Sequence, residues 1–190
     1  MSVPYEEWGP LAGLVGTWES GYDGVDVSYD NERGKVGETP YRERATFAPF
    51  GPVENGEQRL YGLDYRTATF ARGASGPFHR EVGYWLWDAG EGQVLRGFVI
   101  HRGQAVLAGG VAAPDATTLR LGAVLGSNTY GILSNLYLDR VAHTTRFDVT
   151  VTLGGDTYRY DQTTTVEHKK WPSVVMHTDR NTLARVSWEA

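Results

Sequence analysis

Leu11-Ala12-Gly13-Leu14-Val15-Gly16-Thr17-Trp18-Glu19-Ser20-Gly21 opens the β-patterned part of this chain. The stretch that closes it is Val175-Met176-His177-Thr178-Asp179-Arg180-Asn181-Thr182-Leu183-Ala184-Arg185-Val186. A Gly-x-Trp at the head of a first strand, answered by a last strand that closes against it, is the pattern of an antiparallel barrel built from one continuous chain. Such a barrel has no free sheet edges. Small barrels of this kind hold side chains or one ligand in their interior.

Between the two stretches, strand-like runs follow one another with turn signals between them. Leu14–Gly21, Tyr41–Phe50, Gln58–Phe70, Phe78–Trp87, Val94–His101, Gln104–Ala112 and Thr118–Leu125 come first. The clearest alternation is Phe147, Val149, Val151 and Leu153 against Arg146, Asp148, Thr150 and Thr152. Gly154-Gly155-Asp156 then turns the chain into Tyr158–Glu167, and Leu183–Trp188 makes the final strand. The polar, Gly-rich stretch Tyr22–Pro40 reads as a long loop or flap. Gly126–Ala142 reads as irregular, with Ile132, Leu133, Leu136 and Tyr137 on one face of a short helix. The expectation is an all-β fold: a single antiparallel up-and-down barrel of about ten strands, one domain over residues 1–190, with one or two short helical segments.

Composition narrows the function. The 190 residues carry a net charge of −5 with Lys and Arg dispersed, which argues against a nucleic-acid surface. There is no cysteine, so disulfides, iron–sulfur clusters and cysteine nucleophiles are excluded. Met1–Glu7 has neither a basic nor an apolar run, and no apolar stretch approaches the roughly 20 residues of a membrane span, so a cytoplasmic protein is expected. Phosphate-loop, nucleophile-elbow and His-Glu-x-x-His motifs are all missing from the sequence.

Five histidines remain as candidate ligands. His143 and His168 stand among polar neighbours and read as solvated, and His101 reads as a hairpin tip. His79 shares a strand face with Glu81, Gly83, Trp85 and Trp87; it is either an interior group or a rim histidine bonded to Glu81. His177 follows the apolar Val174-Val175-Met176 and precedes the polar Thr178–Asn181, which reads as a turn. It is either a loop histidine capping that turn through its own hydrogen bonds, or a neutral imidazole suited to a metal, with Asp179 near enough to orient it.

The chain resembles the nitrobindins, haem-binding β-barrels similar in fold to fatty-acid-binding proteins and lipocalins. Gly16-Thr17-Trp18-Glu19-Ser20-Gly21 is similar to that family's Gly-x-Trp-x-Gly-x-Gly, and Pro77-Phe78-His79-Arg80-Glu81-Val82-Gly83-Tyr84 to its Pro-x-His-x-Glu-x-Gly-Tyr strand. The C-terminal stretch resembles the segment where a histidine precedes a Leu-x-Arg strand. The resemblance implies haem b with His177 as the proximal iron ligand, His79 in the distal pocket, and Phe78 and Leu107 beside the haem. It also implies chemistry on reactive nitrogen species: peroxynitrite isomerisation to nitrate, or nitric oxide binding. The alternative from another class is a carrier of a small apolar ligand, for which Arg44, Arg66 or Arg146 would supply an inward cation if the ligand is anionic.

Overall fold

Inward-pointing residues alternate with outward-pointing ones along nearly every strand, and closing the sheet on itself buries the inward set. The computed structural model of the protein describes residues 6–189. Met1–Tyr5, most of the N-terminal stretch read for the cytoplasmic expectation, lies outside the described residues. A 3₁₀ segment, Glu6–Leu14, leads into β1 (Gly16–Glu19), β2 (Gly24–Asp30), β3 (Lys35–Asn55), β4 (Gln58–Ala71), β5 (His79–Asp88) and β6 (Gln93–Ile100). Then come β7 (Gln104–Val111), β8 (Thr118–Val124), β9 (Ile132–Ser134), the helix α1 (Leu136–Val141), β10 (Ala142–Gly154), β11 (Thr157–His168) and β12 (Val175–Ser187).

From β2 to β8 and from β10 to β12 each strand pairs antiparallel with the next, β8 pairs with β10, and β12 returns to pair with both β1 and β2. β1 and β2 lie end to end between β12 and β3, and β8 and β9 both pair with β7. The twelve strands therefore fill ten positions around a closed barrel. The expected pairing of the first strand with the last is present, with Thr17 opposite Ser187 and Trp18 opposite Arg185.

Two glycines permit close approaches at the starts of β1 and β2. Gly16 has φ 117°, and a Cβ there would lie 2.2 Å from the Ser187 carbonyl oxygen. At Gly24 a Cβ would sit 2.5 Å from the Tyr41 ring, so only glycine lets that ring enter the barrel.

Three expectations change. Tyr22–Pro40 is not a loop: β2 pairs with the start of β3, Val25 opposite Pro40 and Asp30 opposite Lys35. Thr178–Asn181 is not a turn but part of β12, so His177 stands within the closing strand and not before it. Ile132 and Leu133 belong to β9, and only the following residues form a helix, whose start is capped by Asn135 Oδ1 accepting from the Tyr137 and Leu138 amides.

One end of the barrel is filled. Trp18 is fully buried, donates from Nε1 to the Leu14 carbonyl at 2.7 Å, and meets Tyr158 edge-on at 5.7 Å. Leu11, Leu14, Phe47, Leu63, Trp85 and Leu183 complete the plug. Arg185 covers it, its guanidinium 4.1 Å from the Trp18 ring and 3.5 Å from Trp188. No helix among the described residues is long and apolar enough to cross a membrane.

Candidate functional site

Eight residues back along β12 from Arg185, roughly 26 Å of extended strand, the barrel opens into a cavity of about 330 Å³. Phe98, Val106, Phe147 and Val166 give it apolar walls, while Asp26, His79, His177 and Asp179 project polar groups into it. Tyr29, Trp171 and His168 stand at its mouth as a stack, with Trp171 4.6 Å from Tyr29 and 4.5 Å from His168.

His177 faces the cavity because it is in phase with Asp179, Asn181 and Leu183, the inward set of β12. Its Nε2 lies 2.5 Å from Asp26 Oδ2, across the β12–β2 pairing. Burial would raise the Asp26 carboxyl, but the bond and charge of His177 outweigh it and hold the group below its ordinary value. Asp26 is therefore the acceptor and His177 Nε2 carries the hydrogen. Ser28 donates to the other Asp26 oxygen at 2.6 Å. Among the described residues Nδ1 of His177 has no partner. The orienting carboxylate is thus Asp26, not Asp179, which instead accepts from the Tyr41 hydroxyl.

His79 enters from β5, with β2, β3 and β4 between it and β12. It faces the cavity and is also bonded to Glu81, at 3.1 Å, so both readings of this residue hold together. Burial lowers its pKa, but the Glu81 bond and charge raise it further, above the ordinary histidine value. Its ring meets His101 edge-on at 5.9 Å. Phe78 stands at the mouth, edge-on to Tyr41 at 5.9 Å. Leu107 is elsewhere: it points out of the barrel from β7, 40% exposed, while its neighbour Val106 lines the cavity.

Beneath the cavity lies a polar belt that the sequence reading missed. Arg96 Nη2 bonds Glu81 Oε2 at 2.5 Å and the Tyr65 hydroxyl at 3.1 Å, with both charged side chains buried. Burial pushes the Glu81 carboxyl up, yet Arg96, His79 and Tyr65 together hold it at about 2. Glu43 accepts from Thr67, Tyr160 and Asn181 at 2.5, 2.8 and 2.9 Å, and burial raises its pKa against those bonds. The signal for both was parity: Arg96 is in phase with Val94 and Phe98, and Glu43 with Tyr41, Ala45 and Phe47. The cations named from the sequence lie outside. Arg44 pairs with Glu19 and Arg146 with Asp148 on the outer face, and Arg66 is exposed.

Asp179 gives a test of this electrostatic picture. Burial pushes its carboxyl up from 3.8 to about 7, with the Tyr41 bond opposing. A raised folded-state value contributes stability that is full below about 3.8 and lost as pH rises through about 7. Asp179→Asn, which keeps an acceptor for Tyr41, is expected to melt above the wild type at pH 8 and with it near pH 4. A variant less stable at pH 8 would show that the ionised carboxylate is favoured there.

A family model described as a THAP4-like, heme-binding beta-barrel domain matches residues 7–185. Among solved structures, Rv2717c from M. tuberculosis superimposes with a TM-score of 0.61 and 18% sequence identity, over 92% of this chain and 94% of that one. At that identity the likeness concerns the fold alone. No curated protein matches the sequence.

Proposed function

Because the chain belongs to the THAP4-like haem-binding β-barrel family, we propose that its open cavity holds haem b, with His177 as the single protein ligand to the iron. The observation that carries this reading is the Asp26–His177 pair. A metal-binding imidazole commonly donates its other ring N–H to a carboxylate, which fixes the tautomer and raises the basicity of the ligating nitrogen. Here Asp26 takes the Nε2 hydrogen and leaves the Nδ1 lone pair for a metal. Phe98, Val106, Phe147 and Val166 offer apolar contact to a flat macrocycle, and Arg102 at the rim offers a cation to an acidic edge.

Haem bound here would supply an iron with an open coordination position for reactive nitrogen species, and peroxynitrite isomerisation to nitrate or nitric oxide binding are the reactions we assign to it. The Glu81 bond and charge shift His79 toward its protonated form, which favours positive charge beside the cavity and so an anionic reactant in it. Glu81 and Arg96 fix its ring from below.

The test is a haemin titration followed by the Soret band. His177→Ala is expected to bind at least about tenfold more weakly, and Asp26→Asn about 10–100-fold more weakly through loss of the orienting carboxylate. His79→Leu should still take up haem but react differently with nitrogen oxides. Equal affinity and identical spectra for wild type and His177→Ala would remove the axial assignment. If the wild type takes up no haem, the carrier reading replaces this one; the apolar walls and a cavity of about 330 Å³ favour it.

A further inference from the structure

The charges of this chain are sorted between the two ends of the barrel. The connections β2–β3, β4–β5, β6–β7 and β11–β12 converge with α1 on the cavity mouth, and each sends a residue into its lining. They carry six exposed cations, Arg33, Arg72, Arg102, Arg140, Lys169 and Lys170, against two anions, Glu32 and Asp139. Among the described residues only Arg33 of these six has an ion pair, with Asp30 at 3.4 Å. At the plugged end the connections β3–β4, β5–β6, β7–β8 and β10–β11 carry Glu57, Glu91, Asp115 and Asp156, and no cation. A chain of net charge −5 thus presents a positive open end. Exposed apolar side chains share that end: Leu136 and Tyr137 of α1 are 86% and 54% exposed, and Val174 is 52% exposed. The Lys169 amide donates to the Val141 carbonyl at 3.0 Å, and Asn135 Nδ2 to the Arg102 carbonyl at 2.6 Å. Arg102, α1 and the lysine pair therefore form one continuous stretch of rim.

We propose that the open end of the barrel docks peripherally on an anionic lipid bilayer, with Leu136 and Tyr137 entering the headgroup region and the surrounding cations lying against the headgroups. Apolar tips set among cations are the make-up of a surface that lies in a membrane interface. Each Lys or Arg held near an anionic bilayer is worth about fivefold in affinity. The acids of the plugged end do not cancel this, because charges interact over only ~10 Å at 0.1 M salt.

The same features favour lipid over an acidic protein. Protein interfaces are depleted in lysine and centre on a contiguous packed patch. Here the cations stand on separate turns around an opening, an arrangement that suits a deformable layer of headgroups. The cavity mouth opens inside this rim, so docking brings it to the phase in which an apolar or amphiphilic ligand dissolves. That last step rests on the ligand reading given above; the docking itself does not.

Flotation of the full chain with lipid vesicles, with no ligand added, tests the docking. The chain should float with phosphatidylcholine–phosphatidylserine vesicles and not with phosphatidylcholine alone, and salt should weaken the binding. Lys169→Gln combined with Lys170→Gln should bind about 25-fold more weakly, while Glu91→Gln at the plugged end should bind as the wild type does. The chain has no cysteine, so an environment-sensitive dye can be placed on Leu136→Cys alone. Its emission should shift to the blue on the mixed vesicles, and that of the same dye on Glu91→Cys should not. No flotation with the mixed vesicles, equal flotation with both kinds, undiminished binding by the lysine variant, or a dye at residue 136 that stays in water would overturn the proposal. So would binding to soluble polyglutamate in place of the vesicles, which would assign the rim to an acidic protein. Haemin titration of the same preparation separates the two readings: a chain that docks but takes up no haem loses the haem assignment and keeps the docking.

Discussion

Replacing Arg96 with methionine is expected to destabilise the protein by about 3–5 kcal/mol at pH 7, the cost of leaving a buried charge without its partner. Glu81 would be that charge. In the wild type it sits at about 2 against an ordinary 4.5, so its stabilising contribution is full above about 4.5 and lost as pH falls toward 2. Without Arg96, burial pushes the carboxyl up, and the variant recovers as acid protonates it. The difference between the two proteins should therefore shrink between pH 7 and pH 4. Adding Glu81→Gln to Arg96→Met should restore most of the loss, since the pair fails only when one member is removed. Urea denaturation at the two pH values measures all of this. A loss below about 1 kcal/mol, or a double variant no better than the single, would mean that Arg96 does not hold Glu81 ionised.

Trp18→Ala is expected to cost a similar amount, about 3–5 kcal/mol. The indole is fully buried, touches Tyr158 and Arg185, and supplies the only hydrogen shown for the Leu14 carbonyl among the described residues. Its removal leaves a cavity in the plug and an acceptor without a donor. Because the open cavity lies at the far end of the barrel, ligand uptake by the folded fraction should not change. Chemical denaturation gives the stability and haemin titration the uptake. A loss under about 1 kcal/mol would show that the plug closes without its tryptophan.

The strands that could be read from the sequence are those whose inward faces are apolar. Phe147, Val149 and Val151 announce β10 because that wall of the barrel is oil against water. At the cavity end the inward faces are polar, and the usual cue inverts. β2 directs Asp26 and Ser28 inward, and β12 directs His177, Asp179 and Asn181 inward, so a loop and a turn were expected where the strands in fact run on. The polarity that hides these strands is the polarity of the site.

The sequence by itself determined the closed antiparallel barrel, the pairing of its first and last strands, the buried Trp18 and the strand face of His79, because each follows from local periodicity and from turn chemistry. Only the tertiary structure decided that Asp26 orients His177, that Arg96 holds Glu81 beneath the cavity, and that Leu107 looks outward. Those contacts join residues up to 151 positions apart, and which side chains meet is set by strand register around the closed barrel. Register is a property of the whole ring, and no local stretch of sequence carries it.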